Sequence, residues 1–277
     1  GEVFIHHTNL TTTAGDITLG GTVTANGGSA AVGSTTGGNG GVVTLLNERG
    51  GIVVNAALSA NGGAAGSGVQ GNGGTVQLVS TGTAVASTIT QGAAITATGA
   101  TGGNLKVTAS DDVTLQNTGN DVAKLAANIT TAGKSFKYTD ANTLAIDQVA
   151  QAGSSAVVLG VPSGTAATQA LMNGITTLGG SGGSVVVNTL STGTLDVNQA
   201  ISTVPTGTGT TVGGSVVLES NGAITTAAAG TITFYFADGE PSNVATTIPS
   251  VSGTGIVHVI GGVVQSPASP VDLSAGS

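Results

Sequence analysis

The chain has 277 residues and a formal net charge of −8, and its five Lys and Arg residues form no basic patch, which argues against a nucleic-acid partner. Charged residues make up only 6% of the chain and hydrophobic residues 39%, which excludes an intrinsically disordered protein. No apolar run approaches the ~20 residues that span a bilayer. With 48 Gly, four Phe, two Tyr and no Trp, the core must be thin and aliphatic.

A glycine-led unit recurs along the chain after an apolar, β-prone first segment, VFIHHTNL at residues 3–10. The unit reads G-G-x-(V/L)-x-(L/V), and its second glycine is Gly41, Gly74, Gly103, Gly183 or Gly214, with a degenerate copy at Gly133. The period is about 30 residues, which is typical of a solenoid.

Within each period, short runs alternate apolar and polar residues, and turns rich in Gly, Asn, Thr and Ser separate them. Such runs are typical of strands with one face buried. About three of them per period predict one coil of a parallel β-helix, or β-solenoid. We expect Gly to supply corners with positive φ and the Gly-rich loops, such as residues 25–41, to lie along one edge. Outward Thr and Asn should form hydrogen bonds from coil to coil.

Two segments depart from the repeat. Over residues 150–182 the period stretches, and PSGTAATQALMNGI predicts a short helical excursion near 163–174, with Gly174 just beyond its end. The Pro- and Ser-rich residues 265–277 predict a tail. The domain interpretation is therefore one rod over residues 1–264, with an irregular insertion, followed by that tail.

Three Gly-rich motifs formally match nucleotide-binding or hydrolase signatures: residues 66–71 (G-x-G-x-x-G), residues 128–135 (close to a Walker A sequence) and residues 179–183 (G-x-S-x-G, followed by Asp196 or Asp238 and then His258). Each signature requires a helix after the loop. Here β-prone residues follow each one, so we interpret all three as solenoid turns. We predict no cofactor, no catalytic residues and no enzymatic activity.

A few other polar residues are candidates for a site. His6 and His7 are adjacent, so a strand would point them to opposite faces, and we expect an exposed terminal pair rather than a metal site. Parallel β-helices also include glycan-active enzymes, for which a pocket lined by Lys106, Asp111 and Asp112 would be the sign. Ice binding by Thr ladders is the least favoured alternative, because Thr-x-Thr does not recur at a fixed place.

The run GDITLGGTVTANGG at residues 15–28 and the recurring A-N-G-G and G-N-G-G-x-V-x-L resemble the β-helix repeats of filamentous haemagglutinin-like adhesins. These are large bacterial exoproteins, which include two-partner-secreted and autotransporter passengers. The resemblance covers most of residues 10–262. It implies a right-handed parallel β-helix, export to the bacterial surface or beyond, and a structural or adhesive role. It supplies no functional residues to transfer.

A solenoid exposes unpaired strand edges unless its ends are capped, and neither end shows a capping sequence. We therefore expect head-to-tail pairing with further copies of the chain, with candidate contacts at Val3, Phe4, Ile5, Phe234, Phe236, Ile256, Val257 and Val259. The alternative is a stalk segment of a longer adhesin that binds a host or glycan surface.

Overall fold

The computed structural model describes residues 1–8, 15–33, 36–82, 86–153, 171–178, 183–203 and 214–227, together with the backbone of five strands between residues 231 and 273. Every helix or strand assigned within these ranges is a strand. None of the described residues forms a helix that could span a membrane.

The strands follow one another in short groups. The first three repeats contain β1 (Glu2–His7), β2 (Ile17–Leu19), β3 (Val23–Thr24), β4 (Val42–Asn47), β5 (Ile52–Val54), β6 (Leu58–Ser59), β7 (Thr75–Ser80), β8 (Ile89–Gln91) and β9 (Ile95–Thr96). The middle of the chain contains β10 (Asn104–Ala109), β11 (Val113–Leu115), β12 (Lys124–Ile129), β13 (Phe136–Asp140), β14 (Leu144–Ile146), β15 (Gln148–Val149), β16 (Met172–Asn173) and β17 (Ile175–Thr177). The remainder contains β18 (Val185–Thr189), β19 (Leu195–Val197), β20 (Ile201–Ser202), β21 (Val216–Ser220), β22 (Ile224–Thr226), β23 (Thr231–Thr233), β24 (Thr246–Thr247), β25 (Gly255–Ile260), β26 (Val263–Ser266) and β27 (Val271–Leu273).

Two long sheets organise these strands. Sheet A has the order β1-β4-β7-β10-β12-β17-β20-β23-β24, and sheet B has the order β2-β5-β8-β11-β13-β18-β21-β25-β26-β27. A small sheet C joins β3, β6 and β9, and sheet A forks at β12 into a branch through β14, β19 and β22. Pairing is parallel as far as β23 in sheet A and β21 in sheet B. This all-β arrangement is consistent with the predicted parallel β-solenoid.

Equivalent residues of successive repeats lie side by side with their apolar side chains inward. In sheet A, Val43 pairs with Val76 and Leu45 with Leu78. In sheet B, Ile17 pairs with Ile52, and Val185 pairs with Val216. All of these side chains belong to one continuous buried cluster. Each fully buried Val, Leu or Ile contributes about 1.5–3 kcal/mol, so the stacked columns are the main source of stability.

The Gly-Gly units that the sequence treats as equivalent enter two different sheets. The units at Gly41, Gly74 and Gly103 lead into sheet A strands, whereas those at Gly183 and Gly214 lead into sheet B strands. The prediction that every Gly-Gly unit occupies the same position in its coil is therefore wrong. The motif marks entry into a strand, but it does not specify which sheet that strand joins. Among the parallel pairs, the spacing between paired residues ranges from 20, between Asn104 and Lys124, to 51, between Leu144 and Leu195.

The predicted helical excursion over 163–174 is wrong where the structure describes it. Met172 and Asn173 form β16, which pairs antiparallel with β15. Gly174 has a φ of 62°, and it turns the chain directly into β17. The remaining residues of that prediction, 163–170, lie outside the described part of the chain.

The Gly-rich loops pack against one another, as predicted, and form a glycine-packed edge made of residues 25–28, 36–41, 60–64, 69–74 and 97–103. Backbone hydrogen bonds join them directly, from Gly38 N to Gly28 O (2.8 Å), from Gly63 N to Gly38 O (2.7 Å) and from Gly71 N to Gly63 O (3.0 Å). The prediction that glycine supplies corners with positive φ is wrong for this edge. Within the described ranges only four glycines have positive φ, and Gly33 alone among them falls between these segments. At every glycine of these segments except Gly28, a Cβ would lie 3.0 Å or less from another atom, so glycine is needed because the neighbouring chain leaves no room for a side chain.

Asparagine side chains connect successive repeats along this edge, as the sequence predicts. Asn26 Oδ1 accepts a hydrogen bond from Asn61 N (2.7 Å), and Asn61 Oδ1 accepts one from Thr98 N (2.8 Å). A second column repeats the contact, from Asn72 N to Asn39 Oδ1 (2.9 Å). Each Asn thus satisfies a backbone amide of the next repeat.

Replacement of Gly71 by Ala tests the glycine packing. A Cβ at Gly71 would lie 1.9 Å from Gly38 O, so the backbones must separate, and we expect Gly71→Ala to lower the free energy of unfolding by about 1–3 kcal/mol. Urea denaturation followed by circular dichroism measures this. Gly28→Ala is the matched control, because its Cβ would have no atom within 4 Å. Equal midpoints for the two variants would contradict the packing.

Candidate assembly edges

Within the described residues, the stack has an open edge at β1, β2 and β3. Among the described strands, β1 pairs only with β4, β2 only with β5 and β3 only with β6. These pairs are parallel, so the first repeat has the same orientation as the repeats behind it. A further parallel repeat could therefore add to it without any change of direction.

Backbone alternation determines which amides of β1 face this open edge. Val42 N donates to Gly1 O (2.9 Å) and Glu48 N donates to His7 O (3.0 Å). In a parallel ladder the groups that face one neighbour alternate along the strand. The odd-numbered residues of β1 therefore bond to β4, and the N–H groups of Phe4 and His6 point away from it.

The side chains of β1 divide between the two faces of sheet A. Val3 and Ile5 pack against the core. On the other face the rings of Phe4 and His6 stack with centroids 5.6 Å apart, and His6 Nε2 lies 2.9 Å from Glu48 Oε1. His7 Nδ1 lies 3.0 Å from Gly15 O and from Asn47 Oδ1. The two histidines thus occupy opposite faces, as predicted, but both are half-buried rather than exposed.

At the other end of the stack, β21 and β23 are covered by strands that run in the opposite direction, whereas β22 pairs only with β19 among the described strands. β25 pairs antiparallel with β21, and β24 pairs antiparallel with β23. β26 and β27 extend sheet B further. No feature of the sequence had indicated this covering. The predicted boundary between rod and tail at residue 264 falls inside β26, and β27 lies within the predicted tail.

The predicted contact residues of this end occupy positions within the covering strands. Ile256, Val257 and Val259 belong to β25, where they lie opposite Glu219, Leu218 and Val216 of the same chain. Phe234 and Phe236 lie outside the described residues. The three described residues therefore already have a strand partner within their own chain.

A column of polar side chains, the strand-entry ladder, precedes the strands of sheet B. Asp16 Oδ1 accepts a hydrogen bond from Gly51 N, and Asp112 Oδ1 accepts one from Ser135 N, both at 2.7 Å. Ser135 Oγ in turn accepts from Ser184 N (3.2 Å), and the hydroxyls of Ser184 and Ser215 lie 3.0 Å apart. Asp16, Asp112, Ser135 and Ser184 thus each bond to the repeat that follows.

A segment of the predicted insertion crosses the outer face of sheet A. Gln77 Nε2 donates to Ala152 O (2.7 Å), and Ala152 N donates to Gln77 Oε1 (3.0 Å). Beside them Lys106 Nζ donates to Gln151 Oε1 (2.8 Å), and burial lowers the pKa of Lys106 to about 8. The sequence indicated an insertion here, but it contained no signal for where the insertion packs.

The residues proposed for a glycan-active pocket make separate contacts. Lys106 is held by Gln151, whereas Asp111 Oδ1 lies 2.7 Å from Lys134 Nζ and Asp112 Oδ2 lies 3.8 Å from it. Burial is the largest single effect and raises the pKa of Asp111, but the hydrogen bond and charge of Lys134, together with backbone hydrogen bonds, outweigh it and leave the pKa below its ordinary value. The structure therefore does not bring Lys106 into the acidic pair.

The three signature-like motifs lead into strands, as predicted. β7 follows residues 66–71, β13 follows residues 128–135, and β18 follows Gly183. Residues 179–182 and Asp238 lie outside the described part of the chain. Asp196 Oδ1 accepts a hydrogen bond from Thr225 (2.6 Å), and His258 lies opposite Val217 in β25.

A buried polar network that sequence reasoning missed lies where sheet C ends. Asp140 is fully buried, and its carboxylate accepts hydrogen bonds from Tyr138 Oη (2.7 Å), Val122 N (3.1 Å) and Asn142 N (2.9 Å). Asn120, also buried, accepts from Ile95 N of β9 (2.9 Å). Sheet C continues past β9 only as a bridge from Thr96 to Asp121, and on either side of this bridge the side chains of Asn120 and Asp140 satisfy backbone amides.

The chain matches no protein-family model, no curated protein and no solved structure. Its function must therefore be inferred from its sequence and its own geometry.

The raised pKa of Asp140 makes stability depend on pH. Burial raises this pKa to about 6, although the three hydrogen bonds oppose the rise. Since the folded-state pKa exceeds the ordinary 3.8, the contribution of Asp140 is fully present below about pH 4 and is lost as the pH rises through about 6, by at most about 3 kcal/mol. Urea midpoints measured across this range should fall toward neutral pH, and Asp140→Asn should remove this component.

Tyr138→Phe is the companion variant. It removes a hydrogen bond that lowers the pKa of Asp140, so the loss of stability should extend to higher pH than in the wild type. A wild type and an Asp140→Asn variant with parallel pH profiles would contradict the assignment.

Proposed function

We propose that this chain is an exported structural protein whose repeats close into a right-handed β-solenoid rod. Copies of the rod join head to tail through terminal strand pairing to form an extracellular or cell-surface filament. The right-handed twist and the bacterial surface location rest on the resemblance to haemagglutinin-like repeats, and the assembly rests on the geometry of the edges.

The observation that carries the proposal is the open parallel edge of the first repeat. The N–H groups of Phe4 and His6 point away from β4, and the inward Val3 and Ile5 continue the apolar columns of the core. An exposed strand of this kind is a template for pairing with another chain. Pairing there would bury apolar side chains and add backbone hydrogen bonds in one step.

The polar groups of the chain support a mechanical role. Within the described residues, Asn26, Asn61, Asp112 and Ser135 all use their side chains to bind the backbone of the next repeat. Their chemistry is thus used in holding repeats together. A rod built this way gains resistance to stretching from many parallel backbone bonds.

A stalk segment of a longer adhesin is the second candidate. The antiparallel strands that cover β21 and β23 favour it, because they block simple addition of a parallel repeat at that end. A stalk of this kind would present its sides to a host or glycan surface, and its purified form would be single rods at every concentration.

Phe4→Pro tests the assembly. Proline removes the N–H that faces the open edge and is tolerated on edge strands, so we expect fibres to be lost while the β-sheet circular dichroism is unchanged. Negative-stain electron microscopy over a concentration series detects the fibres. Phe4→Ala is the matched control: it removes the same ring but keeps the N–H, and it should still assemble.

Ile5→Pro tests the opposite edge of β1, the one that pairs with β4. Its N–H faces β4, so this variant should weaken the first repeat itself and lower the unfolding midpoint, unlike Phe4→Pro. Fibres that persist in Phe4→Pro would refute assembly through this edge. Single rods of the wild type at all concentrations would favour the stalk.

A further inference from the structure

We propose that β25, β26 and β27 form a removable cap on the sheet edge to which the first repeat of a second copy binds. This inference rests on the proposed head-to-tail assembly and specifies how its acceptor edge is controlled. The cap and the incoming copy compete for one strand, β21.

The direction of β25 distinguishes it from the repeats. Every described pair in sheet B from β2 to β21 is parallel, whereas β25 lies antiparallel on β21 over five residue pairs, from Val216 opposite Val259 to Ser220 opposite Gly255. Sheet A reverses at the same end, where β24 lies antiparallel on β23. A continuing stack would place a parallel strand in each of these positions.

β2 of a second copy has the side chains that this position requires. In its own chain, inward Ile17 and Leu19 lie beside Ile52 and Val54. The inward residues of β21 are Val216 and Leu218, which are fully buried. In the same register, Ile17 of a second copy would lie beside Val216 and its Leu19 beside Leu218, so the apolar columns would continue across the junction.

The strand-entry ladder continues across the same junction. Ser135 Oγ accepts a hydrogen bond from Ser184 N in the next repeat, and Ser215 occupies the equivalent position before β21. The backbone N–H of Asp16 in a second copy would meet Ser215 Oγ. The Asp16 carboxylate of that copy already accepts a hydrogen bond from Gly51 N of its own next repeat. On both sides of the junction, a side-chain oxygen would therefore accept a hydrogen bond from a backbone amide of the following repeat.

The cap belongs to the same chain, which gives it the advantage of a high effective concentration. A second copy must displace it from β21, and its β1 could pair with β23 only after β24 has also left that strand. We therefore expect assembly to start slowly and to depend on opening of the cap.

A reversible disulfide tests the cap in the full chain. The chain contains no Cys, and Val217 and His258 lie directly opposite each other in the antiparallel pair, a separation that a disulfide can bridge. In the variant Val217→Cys, His258→Cys, the oxidised protein should remain as single rods. The same sample should form fibres after addition of a reductant, with wild type under both conditions as the control.

Val257→Pro should loosen the cap that the disulfide holds in place. Val257 lies opposite Leu218, one of the even-numbered residues of β21 that face β25, so proline there disrupts the pairing of β25 with β21, and this variant should assemble with a shorter lag than the wild type. Oxidised double-cysteine protein that assembles as readily as the reduced form would overturn the cap and leave head-to-tail assembly intact. If neither the wild type nor Val257→Pro forms fibres, both the cap and the proposed assembly are refuted.

Discussion

The distance of about 4.8 Å between stacked parallel strands is the constraint on which the rest of this structure depends. Between strands, the turns must stack at nearly the same spacing, and there a side chain has no room. In the glycine-packed edge, Gly63 N donates directly to Gly38 O, and a Cβ at Gly63 would lie 2.1 Å from Gly28 O. The glycines of this edge thus reflect close backbone packing rather than turn dihedrals.

Much of the fold could be predicted because apolar alternation and glycine spacing are local signals. They indicated the parallel strands, the aliphatic columns and the asparagine contacts between repeats. Which sheet a Gly-Gly unit enters could not be predicted, since Gly183 and Gly41 have the same local sequence pattern but different distant partners. The Gln77–Ala152 contact could not be predicted either, because it joins residues far apart in sequence. The Asp140 network could not be predicted because it depends on where sheet C ends.

The candidate assembly edges were partly predictable, because strand-forming residues are also a local signal. The β-prone character of residues 3–5 and 256–259 can be recognised from composition, but strand direction cannot. Parallel and antiparallel neighbours satisfy the same backbone groups, so the reversal at β25 depends on the tertiary fold. As a result, among the described strands one end of the stack has an open parallel edge and the other carries antiparallel strands. In the proposed head-to-tail filament, this asymmetry would supply both the polarity and a means of control.

Amide hydrogen exchange of β1, before and after assembly, tests head-to-tail pairing most directly. In the single chain, the N–H groups of Phe4 and His6 should exchange rapidly, while those of Val3 and Ile5, which face β4, exchange slowly. In fibres, Phe4 and His6 should become as protected as their neighbours. If Phe4 and His6 exchange equally fast in single chains and in fibres, the junction does not form through this edge, and head-to-tail pairing at β1 is refuted.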